Sequence, residues 1–307
     1  RILIVYMLST NNINWDNYQF IDYINVNKYE IKNLPKGVIV STMCSSAKLG
    51  TSILYENVHD YLCLCNDDIL TVKRNANSFR TLIPEKKKKR RKKGKKKLKK
   101  KSNNYFFNQT TVVVRVTSGP SDDLAKEPKI NIKLFKNGSI QMSGCKKVEW
   151  VNIALNKILY RLKEIKGKIE DNKIKKIQFV DDIDKLSINN FKIDMINSNY
   201  KVNLVINREK FYKLLIKKKI KATFEPSIRA CVIVKFTPEK ENENQKEISI
   251  FIFEQGNIII TGAKNKSHII SSFNFINDII VVHGSEIKKV DLNEMIMNSE
   301  YSHLLVN

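Results

Sequence analysis

The residues that could perform covalent or metal chemistry are few, and they do not converge. His59, His268, His283 and His303 are scattered along the chain. Cys63 and Cys65 form a Cys-x-Cys pair, with no second pair and no histidine at the spacing that would complete a zinc set. The remaining cysteines, Cys44, Cys145 and Cys231, bring the count to five at irregular spacing, which argues against a disulfide framework. Asp181, Asp182 and Asp184 form an acidic cluster and read as a turn. A metal nuclease would need carboxylates converging from strand ends. No GxxxxGK[ST] phosphate loop, HExxH helix or Ser/His/Asp grouping occurs. The chain is therefore expected to be non-enzymatic, with no cofactor, no metal and no small-molecule substrate.

What the side chains can do is hold a polyanion. The formal net charge is +24 over 307 residues, which points to nucleic acid or an anionic membrane. Fourteen Lys and Arg fall between Lys86 and Lys101, leaving +10 for everything else. That run reads as a solvated loop inserted in a moderately basic protein, disordered without a ligand and suited to gripping nucleic acid nonspecifically, to nuclear import or to RNA contact. Hydrophobic content of 42% suits a globular chain. No segment reaches the ~18 apolar residues of a spanning helix, and Arg1–Leu8 reads as a buried strand. The expected location is intracellular.

The elements that position these charges are organised by an internal repeat. Phe135-Lys-Asn-Gly-Ser-Ile-Gln-Met-Ser-Gly-Cys-Lys146 and Phe253-Glu-Gln-Gly-Asn-Ile-Ile-Ile-Thr-Gly-Ala-Lys264 share five of twelve positions at an offset of 118 residues. Upstream, Val112–Thr117 echoes Val232–Thr237 at an offset of 120. Helical spacing follows each copy, over 148–166 (Trp150, Ile153, Ala154, Ile158, Leu162) and 266–280 (Ile269, Ile270, Phe273, Ile276). Asn137-Gly138 and Gln255-Gly256 read as hairpin turns, Asn-Gly because both residues tolerate positive φ. Gly144 and Gly262 mark strand-to-helix exits. At the front of each copy, 38–42 and 191–202 read as strands. The segment 51–62 reads as a helix capped by Thr51 or Ser52, the segment to Lys217 as one capped by Asn207, and 221–224 as a strand. Each unit is thus strand, helix, four strands, helix. Two such units make an α+β protein with an antiparallel sheet and helices on one face. The expected boundaries are an extension over 1–36, a first repeat over 37–167 carrying the 86–101 insert, a second over 168–287 and a tail over 288–307.

Glu225-Pro226 before a strand, then Ile252-Phe253, then Ile260-Thr-Gly-Ala-Lys264, resembles the second repeat of TATA-box-binding proteins. Val40-Ser41-Thr42, Leu134-Phe135 and Ser143-Gly-Cys-Lys146 resemble the first, and the composition resembles the diverged versions carried by large DNA viruses. The resemblance implies a saddle, with a curved sheet on the minor groove of double-stranded DNA and helices on the convex side. It implies a transcription initiation factor whose partners are other initiation factors or RNA polymerase subunits, with no membrane. The expected compartment is the nucleus or a viral replication compartment. The family is itself the type case of minor-groove kinking, so the resemblance also implies a bend in the duplex.

Carried over residue by residue, the wedge phenylalanines match Phe135 and Phe253. The second wedge of each repeat falls at Gln109, with Phe106 and Phe107 just upstream, and at Arg229, which is assigned to phosphate contact. Val38 and Asp194 stand where the family reads central base edges. Val40, Gln141, Ser143, Ile196, Ile259 and Thr261 match the groove floor. Arg115, Lys146, Lys235 and Lys264 match phosphate positions. The helix from Asn207 to Lys217 and the outer sides of the helices after each hairpin are expected partner surfaces. A protein-binding scaffold that keeps the fold but only nonspecific DNA affinity is the alternative.

Overall fold

The computed structural model describes residues 13–29, 31–74, 78–84, 108–171, 173–238 and 247–290; the basic run Lys86–Lys101 and Phe106 and Phe107 lie outside them. The chain divides into two compact units, Arg1–Glu30 with Met43–Asp194, and Ile31–Thr42 with Met195–Asn307.

The first unit contains β1 (Ile39–Lys48, from Met43 onward), α1 (Tyr55–Tyr61), β2 (Ile69–Lys73), β3 (Phe79–Thr81), β4 (Gln109–Arg115), β5 (Lys129–Phe135), β6 (Ser139–Cys145) and α2 (Val148–Leu162). A further antiparallel hairpin, β7 (Lys166–Glu170) and β8 (Lys173–Ile177), follows and has no counterpart among the described residues of the second unit. The second unit contains β9 (Asn189–Lys201, from Met195 onward), α3 (Arg208–Lys217), β10 (Ala222–Thr223), β11 (Cys231–Phe236), β12 (Ile248–Phe253), β13 (Asn257–Ala263) and α4 (Lys266–Ile287). Strands run in the order β1-β6-β5-β4-β2-β3 in one unit and β9-β13-β12-β11-β10 in the other, with antiparallel pairing throughout. This is the α+β class expected from sequence; the second unit has the expected strand, helix, four strands, helix, while the first has five strands between its helices, β2 to β6.

Period-two burial explains each sheet. Ile130, Ile132 and Leu134 of β5, Ile140 and Met142 of β6, and Val112 and Val114 of β4 are at most 1% exposed, and α2 packs on these strands. Ile248, Ile250 and Ile252 of β12 and Ile258 and Ile260 of β13 are fully buried, with α4 against β13. The alternate residues form a second face in each unit that none of the described helices covers.

The repeat is close enough to reuse backbone hydrogen bonds. Leu49 donates to the Gly138 carbonyl at 2.9 Å, as Val202 does to Gly256 at 2.9 Å. Ile53 donates to Lys136 at 3.0 Å, as Ile206 does to Glu254 at 2.7 Å. The hairpins are three-residue loops, not two-residue ones. Only Gly138 (φ +78°) and Gly256 (φ +76°) take positive φ, and each N–H bonds the phenylalanine carbonyl three residues back at 3.0 Å. A Cβ on either glycine would lie 2.3 Å from a carbonyl oxygen, of Thr51 or Val202, so the front of each unit closes onto its hairpin only because the side chain is missing. Gly144 (φ +87°) and Gly262 (φ +97°) sit at matching β-bulges, where the ladder skips a residue against β1 and β9.

In the first unit the N-terminal segment straps the outer side of α2. Asn152 and Asn156, one helical turn apart, accept from Tyr23 and Ile21 N–H and donate to the Ile21 carbonyl at 2.8–3.0 Å. Trp15, 2% exposed, packs on Tyr160 and on the Lys157 ammonium. Lys157 is fully buried and donates to the carbonyls of Asp67, Arg115 and Thr117. Beside it Arg161 holds Asp68 through Nε at 2.8 Å and Nη2 at 2.6 Å, with Glu164 at 2.7 Å.

Burial pushes the Lys157 ammonium down from 10.5 to about 8, since desolvation outweighs the nearby Asp68 and Asp67 charges. The unfolded chain therefore holds that proton more tightly. The charged form weighs on stability fully below pH 8, and stability rises as pH goes from about 8 to 10.5. Urea midpoints at pH 7.5 and 9.5 test this. The parent is expected to gain, on raising pH, relative to a Lys157→Met variant; parallel pH dependence would contradict it. Among the described residues, no helix is long and apolar enough to cross a membrane.

Candidate nucleic-acid interface

The uncovered face of each sheet can be read rung by rung, because directly opposed residues in an antiparallel ladder point the same way. In the first unit one rung runs Ser46, Gln141, Lys133, Thr111, Lys73, Phe79. The next runs Cys44, Ser143, Asn131, Val113. In the second unit the matching rungs are Asn199, Ile259, Phe251, Ile233, Thr223 and Asn197, Thr261, Ser249, Lys235. Almost all of these are half-buried or exposed, whereas Ile233 sits low at 5%.

Phe135 and Phe253 end β5 and β12 on these faces, half-buried, opposite Gln109 and the buried Cys231 respectively. Matching sheet positions thus bring the two predicted wedges onto uncovered strand surface. Gln141 and Ser143, and Ile259 and Thr261, lie on the same faces. The Thr261 hydroxyl donates to Asn197 Oδ1 at 2.5 Å. Val40 is half-buried on the first part of β1.

Several sequence assignments are corrected. Ile196 is fully buried beside Ala263 on the core side of its sheet, and Asn197, one residue on, takes the uncovered position opposite Thr261. Val38 is 8% exposed, precedes β1 and belongs to the core. Asp194 is not among those corrected: its half-buried carboxylate accepts from the hydroxyl of Ser46, a residue of the uncovered face, at 3.0 Å, with Lys192 at 3.8 Å. Arg115 is 2% exposed, and its guanidinium bonds Thr117, the carbonyls of Asn66 and Gly119, and Asp67, with Glu127 at 3.4 Å. It fastens the 117–128 connection to the end of the sheet and is not available to a phosphate. The connection's own Glu127 carboxyl is held below its usual range by the Thr117 and Ser121 hydroxyls.

The reason Arg115 and Lys235 part company is register. The sequence echo aligns them at 120 residues, but opposite the matched phenylalanines the ladder offset is 122, from Gln109 to Cys231. Lys235 therefore stands opposite Ser249 on the uncovered face, donating to its hydroxyl at 2.7 Å, while Arg115 stands opposite Lys129 at the sheet's end. The same shift leaves Arg229 exposed in the turn before β11, bonded to the Glu225 carbonyl, and not facing Phe253. Lys146 and Lys264 are exposed at the two strand-to-helix junctions.

Sequence reasoning missed Cys44, Ser46 and Lys48 in one unit and Asn197, Asn199 and Lys201 in the other. They pair with Ser143, Gln141, Ser139, Thr261, Ile259 and Asn257 in two equivalent ladders. The shared 153-residue offset from β1 to β9, visible once the ladders are aligned, is the signal that would have found them. Exposed Lys48 and Lys201 are the matched cations at the ladder ends. The N-terminal strap occupies part of α2, an expected partner surface, at Asn152 and Asn156, and leaves Glu149 and Tyr160 exposed. α4 keeps Val281 and Val282 exposed at 80% and 72%, and α3 presents Lys210, Lys213 and Lys217. Among the described residues no cluster of His, Cys, Asp or Glu could hold a metal ion.

No family model matches the chain. Its sequence is 33% identical over 310 residues to the TATA-box-binding protein-like protein of Acanthamoeba polyphaga mimivirus, covering 96% of this chain and 77% of that one. Among solved structures it is similar to Methanococcus jannaschii TBP at a TM-score of 0.45 and 17% identity, covering 80% of this chain and 98% of that one.

Proposed function

The chain belongs to the TATA-box-binding protein-like family, and on that premise we propose that it is a DNA-binding transcription initiation factor. The uncovered strand face of each unit lies in the minor groove of AT-rich promoter DNA. Phe135 and Phe253 wedge into base steps and bend the duplex. Ser143, Gln141, Ile259 and Thr261 form the groove floor, and Lys146, Lys235, Lys264 and Arg229 meet phosphates.

The observation that carries this reading is the recurrence of one phenylalanine, half-buried on the uncovered face at the end of a strand whose apolar alternates are fully buried, in both units. Folding alone gives no reason to leave a large aromatic on an uncovered sheet face twice. A duplex supplies one, because its two strands are related by dyads and can meet two matching surfaces. The exposed valines of α4 and the lysines of α3 are the surfaces left for other initiation factors or RNA polymerase.

Competition with a crescent-shaped polyamide that fills the A·T minor groove tests the assignment. The polyamide is expected to displace the chain from an AT-rich duplex, whereas bulky substituents on major-groove edges leave affinity within about threefold, since nothing reads them. Binding that persists with the minor groove filled would contradict it.

A further inference from the structure

The two uncovered faces are built alike and furnished differently. At matching rungs the first unit carries Gln141, Lys133 and Thr111, where the second carries Ile259, Phe251 and Ile233. Gln141 is exposed and Lys133 half-buried, so both are at the surface.

In the minor groove an A·T pair offers acceptors only, while a G·C pair adds the guanine amino donor. Pressed against isoleucine and phenylalanine, that amino group loses its water and gains no acceptor. A glutamine carboxamide accepts from it and donates to neighbouring purine N3 or pyrimidine O2. The Thr111 hydroxyl can do the same, and the Lys133 ammonium donates to either pair.

We propose that the units read the groove unequally. The second unit requires A·T and the first accepts G·C, so that the bound site needs to be A·T-rich in one half only. This rests on the minor-groove reading above, and adds to it the residues that set base preference, Gln141 and Ile259 foremost.

The full chain would be titrated with three duplexes sharing flanks and length, with A·T in both halves, G·C in one half, or G·C in both. Because the chain can reverse on the duplex, placing its first unit on the G·C half, the mixed duplex is expected to bind within about threefold of the all-A·T one. The all-G·C duplex should bind about tenfold or more weakly. Gln141→Ile is expected to lower affinity for the mixed duplex about tenfold relative to its affinity for the all-A·T duplex. Ile259→Gln is expected to restore the all-G·C duplex. Gln141 is exposed, so its replacement leaves folding intact, and thermal midpoints check both variants.

Equal stepwise losses for one and two G·C halves would overturn the proposal, as would a mixed duplex indifferent to Gln141→Ile. Equal affinity for all three duplexes, insensitive to the minor-groove polyamide, would instead overturn the reading on which it rests.

Discussion

Replacing Phe135 and Phe253 together with alanine is expected to weaken binding to AT-rich duplex by roughly 30- to 700-fold, or about 2–4 kcal/mol from ~1–2 kcal/mol per ring moved out of water on binding. Folding should be nearly untouched. Both rings are half-buried, on a face that no described helix covers, unlike Phe179 and Phe211, which are fully buried. Truncating a core phenylalanine costs ~3–5 kcal/mol, and truncation of a half-buried ring is expected to cost less than that. Titration of the double variant against its own thermal melt separates the two. A variant that binds like the parent would remove the wedges from the account. One that melts far earlier would return both rings to the core.

The largest effect on stability is expected at Asp68→Ala. Asp68 is fully buried, and Arg161, 4% exposed, depends on it for two hydrogen bonds. Removing the carboxylate leaves a guanidinium buried with Glu164 alone, a loss of about 3–5 kcal/mol out of the ~5–15 kcal/mol typical of a folded domain. The double change Asp68→Ala, Arg161→Met removes the stranded charge and is expected to recover most of the loss. Denaturant midpoints of the single and double variants decide it, and equal destabilisation by both would contradict the ion-pair account. The site is far from neutral ground for function, since the same network anchors α2 against the strand ends that carry Arg115.

The repeat itself was legible because it rests on local chemistry. Phe-x-x-Gly-x-Ile hairpins, glycines at fixed offsets and an Asn207 cap, which does accept from Lys210 N–H at 3.1 Å, need no knowledge of the rest of the chain. The side of each strand was less legible. In Ile193-Asp-Met-Ile-Asn-Ser-Asn-Tyr200 polar and apolar residues do not alternate cleanly, so only the pairing of Asn197 with Thr261 shows that Ile196 points inward. The bulges at Gly144 and Gly262 each shift the ladder by one residue, which motif spacing cannot reveal. Arg115 looked like a surface cation because its partners, Asp67, Gly119 and Glu127, are brought to it by loops. The N-terminal strap was invisible for a related reason. Asn152 and Asn156 read as ordinary helix polar residues until Ile21 is laid across them.

The base preference and the wedges meet in one geometric quantity, the angle through which the duplex is turned. A short AT-rich duplex carrying a fluorophore at each end, compared with a GC-rich one across a salt series, measures bend and affinity together. The account predicts a large bend on AT-rich DNA that disappears in the Phe135→Ala, Phe253→Ala variant while weak, salt-sensitive binding remains. Straight DNA, bound equally whatever its sequence and with the same salt dependence in parent and variant, would contradict it.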